Sequence, residues 1–113
     1  MAVFMGAFPL LPGKEDEARK FAQETLERRE EFDRSQDRLR TTRDEWALQQ
    51  TPMGWLLIVR FEAEDVGQAF ADLGQSPDPF DVWFRQRVLD TTGVDLTQPM
   101  ESPPPEIILD WSS

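Results

Sequence analysis

The sequence predicts a single α+β domain. Three observations carry that expectation. Hydrophobic periodicity switches repeatedly between the strand and helix periods, one segment folds on paper into a well-registered hairpin, and the strands so defined are apolar on both faces. At 113 residues the chain is long enough for one real core and too short for two, so residues 1–113 are taken as one unit.

Residues 2–11 (AVFMGAFPLL) are rich in β-formers and end at Pro12-Gly13. No Lys or Arg precedes this apolar run, and Pro9 and Pro12 interrupt it. It reads as a first strand rather than a signal peptide or membrane span. A long helix follows, from about Lys14 to about Arg40. Glu15, Asp16 and Glu17 occupy its first turn, where the helix dipole favours negative charge. Glu15/Arg19, Asp16/Lys20, Glu24/Arg28 and Glu30/Arg34 have the spacing and sign order that support an exposed helix face. At 1.5 Å per residue such a helix is about 40 Å long. That exceeds what so small a domain can cover, so its C-terminal part is expected to bend or project.

Residues 42–51 and 55–63 are two strands around the turn Thr51-Pro52-Met53-Gly54. The implied register pairs Gln50 with Trp55, Leu48 with Leu57, Trp46 with Val59 and Asp44 with Phe61. On the opposite face it sets Glu45 against Arg60 and Arg43 against Glu62. Such pairs contribute only about 0.2–1 kcal/mol each, but two of them in one register argue for that register.

Asp65 caps a short helix in which Val66, Ala69, Phe70 and Leu73 recur at helical spacing, and Gly74 ends it. Asp78-Pro79 opens another, with Asp81 at its third position. Its apolar stripe is Phe80, Trp83, Phe84 and Val88, and Gly93 stops it. Residues 94–105, with Pro99 and Pro103-Pro104-Pro105, form a connector, and Glu106 to Trp111 (EIILDW) reads as a last strand.

This order is the ferredoxin-like βαββαβ arrangement, a four-stranded antiparallel sheet with helices on one face. The far face of such a sheet is normally polar. Here Trp46, Leu48, Trp55, Leu57, Val59 and Phe61 lie on one side of the hairpin, yet Ala47, Leu56 and Ile58 lie on the other. The first strand sets Phe4, Phe8 and Leu10 against Val3, Met5 and Ala7, and the last sets Ile107, Leu109 and Trp111 against Ile108. The chain's own helices cover one side, and a second copy of the sheet is expected on the other, making a homodimer.

Composition narrows the chemistry. The chain has no Cys, His or Tyr, which removes thiolate sites, the commonest zinc and haem ligand and the commonest general base. No metal site and no cofactor is expected. A formal charge of −10 argues against nucleic acid and anionic membrane as partners. A cytoplasmic location is the default.

The candidate catalytic residues are Arg28 and Asp44. The long helix has a core stripe of Ala18, Phe21, Thr25, Phe32 and Leu39, and Arg28 falls between Phe21 and Phe32, with Ser35 and Gln36 nearby. One reading of Arg28 is an anion- or carbonyl-binding group in the cleft; the other is an arginine that snorkels or forms a structural ion pair. Asp44 is the acid on the hairpin's apolar face, where burial would raise its pKa toward general-base range; the alternative is a strand-end carboxylate in water. With Arg28 reaching the same cleft, the two would form one polar spot. Phe21, Thr25, Phe32, Trp46, Trp55 and Trp83 are the candidate substrate-binding residues, their rings suited to a flat or polycyclic apolar ligand, although rings at these spacings also serve simply as core or interface. No phosphate-binding loop or nucleophile elbow is present.

The stretches LLPGKEDEARKF, LQQTPMG and DPFDVWFRQRVLDTTGVDL resemble the bacterial DUF6176 family. The whole layout resembles the dimeric α-β barrel superfamily of antibiotic-biosynthesis-monooxygenase-like and olivetolic-acid-cyclase-like proteins. The resemblance spans nearly all of residues 3–111. It implies a ligand site between sheet and helices and a cofactor-independent cyclase or monooxygenase of secondary metabolism acting on a polyketide- or terpenoid-like compound. The histidine and tyrosine mechanisms of that superfamily do not carry over, because this chain has neither residue. A non-catalytic ligand-binding or accessory protein stands as the alternative.

Overall fold

A computed structural model describes residues 2–100 and 102–113. The elements run β1 (Ala2–Pro9), α1 (Glu15–Glu27), α2 (Arg29–Leu39), β2 (Thr41–Thr51), β3 (Gly54–Ala63), α3 (Val66–Gln75) and α4 (Pro79–Thr92). The chain is thus α+β, with four helices and a three-stranded antiparallel sheet in the order β1-β3-β2 among the described residues.

The hairpin adopts the register expected of it, from Asp44 opposite Phe61 to Gln50 opposite Trp55, with Glu45 opposite Arg60 and Arg43 opposite Glu62. Its turn is closed by Thr51, whose hydroxyl donates to the Gly54 carbonyl at 2.7 Å and accepts from the Met53 amide at 3.2 Å. Gly54 sits at φ 122°, outside the range that side chains tolerate.

The expected long helix bends at Arg28, which has φ −92° and ψ 42° and separates α1 from α2. Helical hydrogen bonds continue across the break, from the Arg28 amide to the Glu24 carbonyl and from the Phe32 amide to the Arg28 carbonyl. One turn earlier, the buried Thr25 hydroxyl donates to the Phe21 carbonyl at 2.8 Å, a bond that favours bending. The bend folds α2 back over the sheet. Arg40 closes α2 in the left-handed region at φ 56°.

The core lies between the inner sheet face and the helices. Phe4, Phe61 and Ala63 from the sheet meet Leu39, Ala69 and Leu73 from α2 and α3. Gly74, near the end of α3, allows the backbone of the following connector to pass: a Cβ there would lie 2.2 Å from the Leu96 carbonyl oxygen. Backbone cannot yield as a side chain tip can. Gly74→Ala is therefore expected to lower stability by about 1–3 kcal/mol, as overpacked cores do, read from chemical unfolding.

One element differs from expectation. Among the described residues Glu106–Trp111 forms no strand, and the sheet has three strands rather than four. The segment lies across a groove of about 860 Å³ from Ala2–Met5, with Ile108 89% and Trp111 78% exposed. Pro103-Pro104-Pro105 removes three backbone donors just ahead of it. β1 is left as an open edge. The outer sheet face is mixed: Arg43, Glu45, Arg60 and Glu62 form a linked charge cluster on β2 and β3, and the exposed Val3 and Met5 stand beside it on β1, opposite Glu62 and Arg60.

Candidate functional site

Alternation along β2 turns Asp44 and Trp46 to the inner face, where α1, α2 and α4 cross above them. There they border a cavity of about 100 Å³. Its wall is almost wholly apolar, with Phe21, Phe32, Phe84, Leu57 and Val59 prominent and Gln36 and Asp44 among the few polar groups. Phe21, Trp46 and Phe84 form a mutual cluster of rings, with centroids 5.2 Å apart for Phe21–Trp46, 5.8 Å for Trp46–Phe84 and 5.1 Å for Phe21–Phe84.

Asp44 is held by two neutral donors. The Trp46 indole N–H donates to Oδ1 at 2.8 Å, and the Gln36 amide donates to Oδ2 at 3.1 Å. Trp46 sits two residues along the same strand and Gln36 lies at the inner surface of α2, so sheet and helix both fix the carboxyl. Among the described residues no Arg, Lys or amino terminus forms a salt bridge with it. Burial pushes its pKa above the ordinary aspartate value, and the two hydrogen bonds only partly oppose that rise.

A stability consequence follows. Because the folded value lies above the unfolded one, the contribution of Asp44 is full below the unfolded pKa and is lost as pH rises through the folded pKa. Asp44→Asn removes that loss, and the introduced amide can still accept from Trp46 while Gln36 reverses its own amide. The variant is expected to be the more stable protein at neutral pH, with the gap closing toward acid. Chemical unfolding of both proteins at several pH values measures it.

The expected Arg28–Asp44 pair is not formed. Arg28 makes two parallel bonds to Glu31, at 3.0 Å from Nε and 2.8 Å from the terminal nitrogen. Its guanidinium lies over the rings of Trp83 at 4.5 Å and Phe80 at 5.0 Å. The side chain is 32% exposed, and Arg28 is not among the residues lining the cavity. The physical reason is local: a carboxylate one turn further along the helix and two aromatic faces satisfy the guanidinium without a reach to the strand. The Glu31 hydrogen bonds raise the Arg28 pKa further, and their counterpart lowers that of Glu31.

Of the other candidates, Phe21, Phe32 and Trp46 line the cavity. Thr25 is buried but spends its hydroxyl on the Phe21 carbonyl. Trp55 lies away from the cavity with the Arg19 guanidinium over its ring at 5.1 Å. Trp83 packs on Phe21 and Phe80 behind the wall, at 5.6 and 5.5 Å between centroids. Gln36 lines the cavity and bonds Asp44, and helix spacing placed it nearby without assigning a role. The available signal was a donor four residues beyond Phe32 on the inward stripe.

A second polar centre is structural. Asp81 is 0% exposed and accepts from Ser35 at 2.6 Å, Ser76 at 2.6 Å and Arg38 at 2.9 Å. Burial acts to raise its pKa, but these three hydrogen bonds and the Arg38 charge outweigh it and hold the carboxylate below its ordinary value. The network ties α2 to the α3–α4 junction and so braces the helix that carries Gln36.

Among the described residues no cluster of three or more His, Cys, Asp or Glu is placed to hold a metal ion. Among the same residues no helix is long and apolar enough to cross a membrane. Comparison of the chain with protein-family models, curated proteins and solved structures gives no match.

Proposed function

We propose that the protein binds a small apolar molecule in the cavity between sheet and helices, with Asp44 as the group that orients it. The supporting observation is a carboxylate held by two neutral donors, without a cationic partner among the described residues, on an apolar wall. The volume of about 100 Å³ sets the ligand's size. An apolar protein cavity of about 150 Å³ holds benzene, so a molecule of about five heavy atoms suits this one better than a polycyclic compound does.

Two readings of the outcome differ in chemistry. In the first, the protein is a cofactor-independent enzyme of the cyclase, isomerase or monooxygenase type, and Asp44, with its raised pKa, accepts a proton from the bound carbon acid. In the second it binds without catalysis. The engagement of Arg28 outside the cavity favours the second, since it leaves one titratable group at the site among the described residues. Saturation transfer from protein to the methyl groups of butanone tests binding, with transfer expected at millimolar ligand and its absence counting against the site. Exchange of butanone α-hydrogens in deuterated water tests catalysis: acceleration by the wild type and not by Asp44→Asn supports the enzyme.

The assembly belongs to the same proposal. Two copies pair through their outer sheet faces, where Val3 and Met5 are exposed, to give the dimeric α-β barrel that the resemblance implies. The Glu106–Trp111 segment then completes a ferredoxin-like sheet at the open edge of β1. Such an interface should bury about 1,200 Å² or more. Sedimentation is expected to show a dimer at micromolar concentration, and a monomer there would remove the assembly from the account.

A further inference from the structure

The charge of the ligand can be argued from the same site, on the reading that the cavity is a ligand site at all. Asp44 presents two oxygens, and each accepts one hydrogen bond within the protein. A carboxylate oxygen has room for a second. A neutral ligand leaves the carboxylate uncompensated and removes what water reaches it, while an anion adds repulsion. A cation reverses both penalties. The rings of Trp46, Phe21 and Phe84 pack together beside the carboxyl and offer an apolar wall to an alkyl tail. The net charge of −10 also draws small cations toward the protein.

We infer that the cavity takes a small alkylammonium ion of about four carbons, its –NH3⁺ donating to Asp44 and its alkyl tail lying among Trp46, Phe21 and Phe84. The ammonium can place two of its N–H donors on the two open lone-pair sites of a carboxylate already fixed by Gln36 and Trp46. The tail fills the apolar remainder of a volume that a larger amine exceeds. Charge-assisted hydrogen bonds of this kind are about twice as strong as neutral ones, which makes the head group the selective element.

Isobutylamine, protonated at neutral pH, and isobutanol have the same shape and differ in charge. Both are titrated into ¹⁵N-labelled protein, following the Trp46 indole N–H, the group bonded to Asp44. The amine is expected to bind at least tenfold more tightly than the alcohol. Asp44→Asn is expected to bring the amine down to the alcohol's affinity, and the comparison within wild-type protein stands even if that variant folds poorly. Equal or tighter binding of isobutanol, or an amine affinity unchanged in Asp44→Asn, overturns the assignment. If isobutanol and butanone bind while the amine does not, the charge assignment alone fails. If none of the three binds, the ligand-site reading fails with it.

Discussion

Replacing Phe21 with alanine is expected to destabilise the protein by about 3–5 kcal/mol, the range for truncating a buried phenylalanine. Phe21 is 2% exposed and its ring meets Trp46, Trp83 and Phe84 at once, so no single neighbour can close the gap. The same change opens the wall of the cavity. If the fold survives, the variant should gain binding of benzene, which the wild-type volume excludes. Chemical unfolding gives the first quantity, and the benzene-induced rise in melting temperature gives the second.

Asp81→Ala is expected to cost about 3 kcal/mol or more. The substitution strands the buried Ser35 hydroxyl and removes the acceptor shared by Ser76 and Arg38, and each buried polar group left without a partner costs about 1–3 kcal/mol. The pH dependence runs opposite to that of Asp44. The folded pKa of Asp81 lies below its unfolded value, so its contribution is present above the unfolded pKa and is lost as pH falls through the folded one. The wild type should therefore lose more stability than Asp81→Ala on acidification, with the two converging at low pH. Parallel slopes from neutral to acidic pH would show that Asp81 carries no such linkage.

The hairpin was legible because a period of two and two opposite-sign pairs admit one register, and Asp44 opposite Phe61 is part of it. The same alternation placed Asp44 and Trp46 on the inner face. The bend was legible only as an argument from length, since nothing in the local pattern singles out Arg28 as the hinge. Other features depended on partners that spacing does not reveal. Glu106–Trp111 has the composition of a strand, but composition reports a tendency and not a ladder partner. The angular position of Arg28 points it to the cleft, whereas Glu31, three residues on, decides where its guanidinium goes. Asp81 read as a residue of the first helical turn, yet its burial comes from Ser35 and Arg38, which lie 46 and 43 residues away in the chain.

The central claim is that the cavity beside Asp44 and Trp46 holds a ligand. The most direct measurement is a crystal structure of the protein soaked in isobutylamine at neutral pH. Density is expected inside the cavity, with the nitrogen at hydrogen-bond distance from an Asp44 oxygen and the alkyl group against Trp46 and Phe84. A cavity left empty at saturating amine and, in parallel soaks, at saturating isobutanol and butanone, or density bound only on the outer surface, would contradict it.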